Sequence, residues 1–424
     1  MGTIADKLQK LLSTKEAIKQ AIISKGVSVD DSDTFFSYAD RISEIQGGGG
    51  GTDDFYITDA AHLFYGGARI AEFDKYFERI KDCISYKYAF ANFNRGSELD
   101  VKAILAKCSK NGCDCSNMFD SSSYTAGRVL KNVNEADYSR VTYMNDMFRY
   151  CQNNSLAIDI VLKNLEKVEE MDSVFESTKI TSIDLSQANN SICNTLDSAF
   201  YSTKIVKLTF GGLTYKGIYA GAIAQNATTL TEIIWNNFCP SSLSNAFSGC
   251  TALKKVDFAD LDSSKLTNVY YTFNRCTALE EVLNADLGRV TTTSYTNMFG
   301  TTNLPNLKRL TFKKNTTFGQ NSAAAEIILN LTKLTGFDAA GYTEMVNSLL
   351  QIEYVSSAYI VNEFIDANGD GFDDIYELTE EEFTNRWVYG VRTIKLNTTL
   401  YNSLTDEQKA LATNKGYNLS HGTS

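Results

Sequence analysis

The densest run of oxygen donors in the sequence is Asp366-Ala367-Asn368-Gly369-Asp370-Gly371-Phe372-Asp373-Asp374-Ile375-Tyr376-Glu377. A calcium ion takes about six to eight oxygens, and this spacing offers carboxylate or amide groups at loop positions 1, 3, 5, 9 and 12. The expected ligands are therefore Asp366, Asn368, Asp370, Asp374 and Glu377, with Phe372 offering its backbone carbonyl at position 7. Gly371 permits the sharp turn between them. The competing reading is an Asx-rich turn that holds its own loop together without metal. The expected role is structural, because no second loop of this kind exists to make a cooperative pair.

Cysteine is the next candidate for chemistry. The nine cysteines are an odd count, scattered at 83, 108, 113, 115, 151, 193, 239, 250 and 276. That pattern suits small buried side chains better than a disulfide framework. One cluster stands apart, Cys108-Ser109-Lys110-Asn111-Gly112-Cys113-Asp114-Cys115. Four-cysteine zinc sites usually draw paired ligands from both ends of the site. Only Cys83 lies nearby as a fourth, so the expectation here is an ordinary thiol-containing loop, with zinc the lesser reading. Two histidines in the whole chain make a histidine-based metal or acid–base site improbable. No serine-hydrolase elbow, phosphate-binding glycine loop or H-E-x-x-H motif is present, so a non-enzymatic protein is expected.

The elements that must carry these groups follow one period. An apolar or small residue followed by Phe recurs as Leu63-Phe64, Ala89-Phe90, Met118-Phe119, Met147-Phe148, Val174-Phe175, Ala199-Phe200, Ala246-Phe247, Thr272-Phe273 and Met298-Phe299. The intervals are 26, 29, 29, 27, 25, 47, 26 and 26 residues, with a degenerate unit around Tyr219-Ala220-Gly221-Ala222-Ile223 filling the long one. About ten units of this length fall within the leucine-rich range. Each Phe is followed by an L-x-x-L-x-L core, as in Ile180-x-x-Ile183-x-Leu185 and Leu253-x-x-Val256-x-Phe258. The final alternation suits a half-buried strand. The step of three in Val141-x-x-Met144-x-x-Met147 predicts a short helical or 3₁₀ turn behind it. The fold class expected is an α/β repeat solenoid, in which each unit buries its apolar face only against its neighbours.

Residues 245–258, Asn-Ala-Phe-Ser-Gly-Cys-Thr-Ala-Leu-Lys-Lys-Val-Asp-Phe, resemble the unit of BspA-type leucine-rich repeats, and Thr272 to Val282 repeat the match. Asp262 to Val269 is similar to the turn of the same family. The likeness is close over roughly 240–312 and fades toward the N-terminus. It implies that Cys151, Cys250 and Cys276, each three residues after a repeat Phe, are small buried turn residues. The acidic loop, in turn, resembles thrombospondin type 3 loops more than an EF-hand, which would place an aliphatic residue where Asp373 stands.

The two ends differ from the array. Ile4, Leu8, Leu11, Leu12, Ile18, Ile22 and Ile23 fall at helical spacing, and Gly47 to Gly51 form a tether. Thr14 to Val27, followed by Phe35-x-x-Tyr38-Ala39-Asp40-Arg41-Ile42, resembles a segment of tailed-phage virion proteins. At the other end, Ala323 to Leu350 is expected to be helical, and Leu404 to Tyr417 resembles the terminal unit of phage-borne repeat proteins. Thr405 and Gln408 form a candidate capping box there. The expected domains are a helical anchor at 1–46, a glycine linker at 47–52, the solenoid at 53–312, and a cap at 313–424 with the calcium-type loop inserted at 353–390.

A formal net charge of −11 gives little electrostatic support for nucleic-acid binding, and no apolar run is long enough to span a bilayer. The first residues lack a secretory signal, so synthesis in a host cytoplasm is expected. Taken with the resemblances, the expectation is a phage virion structural protein, of tail-fibre, baseplate or head-fibre type. Residues 1–46 would dock on other virion proteins or form a homo-oligomer, while the array binds a host surface protein or glycan. Tyr143, Tyr201, Tyr215, Tyr219, Tyr270, Tyr271 and Tyr295 are the candidate surface aromatics. The alternative is a bacterial cell-surface BspA-like adhesin.

Overall fold

The computed structural model describes residues 4–24, 27–30, 34, 37, 38, 41, 56–67, 72–93, 98–121, 129–151, 159–290, 297–314, 316–319, 326–355, 386–389 and 391–423. The chain divides into two compact units, residues 1–57 with 75–79, and residues 58–74 with 80–424. In the first, the helix Ile4–Ile23 packs Ile18 and Ile22 against Val27, Val29 and Tyr38. Residues 18 and 22 are one turn apart, which is why they share that face. Leu11 and Leu12 on the same helix are 61% and 55% exposed.

The second unit is built mostly of small parallel sheets with few helices, a repeat-type α/β fold. Asp159–Lys163, Ser182–Gln187, Lys207–Thr209 and Glu232–Ile234 form one parallel sheet. Lys255–Asp257, Glu281–Ala285 and Arg309–Phe312 form another, with Val256, Val282 and Leu310 in register. The apolar positions of the L-x-x-L-x-L core are buried in these strands, apart from the half-buried Ile233.

The repeat phenylalanines stack in a column. Ring centroids from Phe64 through Phe90, Phe119, Phe148, Phe175 and Phe200 lie 5.2, 5.7, 5.5, 5.2 and 6.2 Å apart. Each such pair contributes about 0.5–1.5 kcal/mol beyond burial. The column stops at Phe200 and resumes at Phe247, Phe273 and Phe299. In the degenerate unit Ala224 takes the place of the ring: its N–H donates to the Ala246 carbonyl, as that of Phe175 donates to Ala199. A second column, Phe210, Trp235 and Phe258, spans the break at 5.6 and 5.5 Å.

The segment around each Phe is a run of turns whose N–H groups alternately bond three residues back, as Met147 does to Met144 O, and cross to the next unit. Residues two before the ring have positive φ in unit after unit, including Asp146, Ser173, Ser198, Asn245 and Tyr271, and most units repeat this two residues after it. A left-handed residue every fourth position stops helix propagation. The freed N–H groups bond to the next unit, as Phe148 N–H does to Val174 O at 2.9 Å. The expected turn is present, but a continuous helix is not, because every second N–H leaves the unit.

The region 323–350 also needs correction. Glu326–Leu331 is a strand paired in parallel with Val391–Asn397, which pairs in turn with Asn418–Gly422. Ile327, Leu329 and Leu331 are buried on alternate positions. The adjacent Ile327-Ile328 and the later Leu334 made this period of two look like a helical one. A helix follows only at Ala339–Ser348, where the Asp338 carboxylate accepts from the Gly341 N–H. The capping box forms as expected before the helix Asp406–Asn414: Gln408 N–H donates to Thr405 Oγ1, and Thr405 N–H to Gln408 Oε1. The expected insertion starts and ends in the parallel pair Ile352–Val355 and Arg386–Tyr389.

Candidate functional site

The six calcium-loop positions, Asp366, Asn368, Asp370, Phe372, Asp374 and Glu377, lie outside the described residues, as do the glycine tether and Tyr295. Of the remaining candidate tyrosines none is buried: Tyr219 is 45% and Tyr215 39% exposed, and Tyr143, Tyr201, Tyr270 and Tyr271 are half-buried. The rings of Tyr270 and Tyr271 stack at 4.1 Å.

Two of these tyrosines belong to one strip. Parallel bridges join Tyr143 to Glu170, Glu170 to Thr195, and Thr195 to Tyr219, so residues of four successive units stand side by side. The Tyr143 hydroxyl donates to Glu169 at 3.0 Å, and Asn145 donates its amide to Glu170 at 2.6 Å. Asp172 Oδ1 accepts from the Thr195 hydroxyl and, at 2.8 Å, from the Asp197 N–H. Burial raises the Asp172 carboxyl above its usual range, against the pull of those hydrogen bonds. Asp197 is raised by burial and then by Asp172. Tyr219 is raised by burial, with both aspartates adding to it. The strip therefore offers acceptor oxygens flanked by tyrosines, a chemistry that receives hydroxyl or ammonium donors and stacks on flat apolar faces. Below it, Arg149 is held by Asp120 through two bonds of 3.1 and 3.3 Å and by Asp146 at 2.8 Å.

The structure also brings Cys83 alongside the cysteine cluster at 108–115. Cys83 on the strand Ile80–Ser85 pairs in parallel with Cys108, which follows the helix Val101–Leu105 capped by Asp100. The chain then turns through Gly112 at φ +122°, where a Cβ would come within 2.6 Å of Thr142 Cγ2. Cys113 opens the two-residue strand Cys113–Asp114, and Cys115 follows directly after it. The sulfurs of Cys108, Cys113 and Cys115 all lie within 4.8 Å of one another, with Cys113 and Cys115 at 4.0 Å. Cys83 reaches Cys113 as its sulfur partner. All four are fully buried. Hydrogen bonds from Cys113 and Cys115 pull the Cys108 thiol down to about 5, while Cys83 and Cys115 are pushed up, chiefly as sulfur donors and then by burial.

A signal for this was present in the sequence: Cys83 and Cys108 are 25 residues apart, one repeat, which in a parallel ladder means side by side. The cysteines in repeat phase behave differently. Cys151, Cys250 and Cys276 each donate to a backbone carbonyl of the preceding unit, Phe119 O, Ala224 O and Phe247 O, at 3.3, 3.1 and 3.0 Å. They are buried turn residues, as their phase implied.

Residues 113–212 and 221–322 match the family model described as Mycoplasma protein of unknown function, DUF285. This repeat family is related to BspA-like surface repeats. No curated protein and no solved structure matches the chain. The two matched stretches cover the central array and are similar to that family; Cys83 and Cys108 lie just outside them.

Proposed function

We propose that this chain is a non-catalytic display protein. It is a leucine-rich-type solenoid whose strip around Tyr143, Glu170, Thr195 and Tyr219 binds a host surface protein or glycan. Its carrier is a phage virion, as a tail-fibre, baseplate or head-fibre component made in the host cytoplasm. The observation that carries the binding part is the strip itself, with acceptor carboxylates and tyrosines from four successive units aligned on one ladder. The anchor role of residues 1–46 draws on the phage-like segment and on the exposed Leu11 and Leu12 of the first helix, which suit docking on a virion protein or a second copy. A structural calcium ion at Asp366, Asn368, Asp370, Phe372, Asp374 and Glu377 remains part of this reading. Calorimetric calcium titration of the full chain, with heat lost in Asp366→Asn/Asp370→Asn, tests it.

A second reading, a bacterial cell-surface adhesin, is favoured by the family match, since that family is related to surface repeats. Mass spectrometry separates the two. The chain should be found in purified particles, and recovery only with cell envelopes would replace the virion by the adhesin. Binding is tested on intact host cells with labelled full-length chain. Glu170→Ala/Tyr219→Ala should weaken it at least about tenfold, a loss typical of interface residues that matter. Tyr215→Ala, outside the strip, should leave it unchanged. Equal binding by all three chains would remove the strip from the proposal.

A further inference from the structure

We propose that Cys83, Cys108, Cys113 and Cys115 form a structural tetrathiolate zinc site buried between the first repeats. Zinc–sulfur bonds of about 2.3 Å in a tetrahedron place neighbouring sulfurs about 3.8 Å apart. The 4.0 Å between Cys113 and Cys115, and the 4.8 Å limit on the three-sulfur group, lie close to that edge. They are far longer than the about 2.05 Å of a disulfide. Cys83 stands just outside that three-sulfur group and moves in as the fourth ligand on binding: the parallel bridge holds its backbone beside Cys108, and its sulfur already meets that of Cys113. Four sulfurs with no water access match a closed structural site, which keeps no position open for substrate.

The phased cysteines serve as an internal control. Each lone buried thiol of this fold has an oxygen partner: Cys151, Cys250 and Cys276 meet a carbonyl of the neighbouring unit, Cys193 meets Thr195 O at 3.5 Å, and Cys239 lies 3.6 Å from Ser264 Oγ. In the cluster the sulfurs chiefly face one another; Cys83 also donates to Ser85 O at 3.2 Å. Packing alone does not require four thiols to converge from three backbone segments.

The surroundings fit the charge of such a site. Zinc bound by four thiolates carries a net charge of about −2, which needs donors and cations around it. The Tyr86 hydroxyl is buried, has no hydrogen-bond partner, and lies in the field of all four sulfurs. A thiolate there gives it the acceptor it lacks. Arg140 donates to the carbonyls of Cys108 and Ala106 at 3.1 and 3.3 Å, which places a fixed positive charge beside Cys108. Lys107 donates to Ile80 O, and Lys167 to Lys110 O, so the loop is ringed by cations. Binding releases the thiol protons to solvent, and no oxidation or reduction is involved.

The test uses the reduced full-length chain under anaerobic conditions, titrated with cobalt(II) and then zinc(II). The expected result is one cobalt per chain, with the strong visible bands of tetrahedral cobalt–thiolate, displaced by one zinc. Cys113→Ser should abolish the bands, and Cys276→Ser, a phased cysteine, should keep them. Tyr86→Phe should weaken zinc affinity about tenfold while keeping the tetrahedral spectrum, the scale expected for a lost outer partner. Should Cys113→Ser fail to fold, Tyr86→Phe and the unaltered chain still decide. No cobalt bands in the folded, reduced chain would overturn the proposal. So would bands that survive in Cys113→Ser, or a native mass lighter by the two hydrogens of a disulfide among these residues.

Discussion

The repeats at 80–121 and those at 240–312 share a skeleton and use cysteine in opposite ways. Both stack their phenylalanines at van der Waals distance and bond each ring's N–H to the following unit. In the later repeats Cys250 and Cys276 occupy the same step of the period, and each meets a carbonyl. In the earlier ones Cys108, Cys113 and Cys115 fall off that step and meet one another. A parallel ladder turns an offset of one period into a side-by-side position, as it does for Cys83 and Cys108. The regions also differ in what secures them. The later repeats hold near-consensus apolar cores, and the earlier ones combine weaker consensus with a concentrated side-chain cluster.

The largest expected effect tests the shared skeleton. Phe148 stacks between Phe119 and Phe175, and Phe148→Ala should cost about 3–5 kcal/mol in denaturant unfolding. The native Ala224 shows that a gap is tolerated where a second column bridges it, and Phe148 has no such column among the described residues. A cost below about 1 kcal/mol would mean the column is incidental. Next comes the difference in thiols. Cys276→Ser should cost about 1 kcal/mol by equilibrium unfolding, because the hydroxyl can still donate to Phe247 O. Thr405→Ala removes half of the capping box and should also cost about 1 kcal/mol, with amide exchange faster in 406–414 and unchanged in the repeats.

The smallest effect concerns pH. Because the folded Asp172 carboxyl binds its proton more tightly than the unfolded one, the fold holds the extra proton as pH rises past the ordinary carboxylate range. Its contribution is therefore greatest below the unfolded pKa and is lost as pH climbs through the raised folded value. Asp172→Asn keeps the Oδ1 that accepts from Thr195 and Asp197. Its thermal midpoint should rise relative to the parent at neutral pH and match the parent near about pH 3. A variant less stable than the parent at neutral pH would show that the charge is worth keeping there.

Much of this architecture could be read from residue order. The Phe period, the L-x-x-L-x-L strands and the Thr405/Gln408 box are local patterns, and each is found where the spacing put it. The misread segments are those whose partners lie far along the chain. Ile327, Ile328 and Leu331, with Leu334 beyond them, suit a helix until Val391–Asn397 arrives to pair with Glu326–Leu331. Val141, Met144 and Met147 suit a helical turn, but only Val141 and Met147 bond three residues back, and the Met144 N–H goes to Glu170 O in the next unit. The cysteine run at 108–115 and Cys83 as its nearby fourth are legible in the sequence; what spacing alone does not show is that one period of separation sets Cys83 beside Cys108 across the ladder.

The inter-unit hydrogen bonds of Phe90, Phe119, Phe148 and Phe175 each span one period, and none of them ties a unit to a distant part of the chain. Under a pulling force, such bonds break one rung at a time. Each rung lost frees a unit of 25–29 residues, which lengthens the chain by roughly 90 Å. The array should therefore extend in regular steps under load and re-form as each step closes, as a tether that absorbs strain between two bodies would.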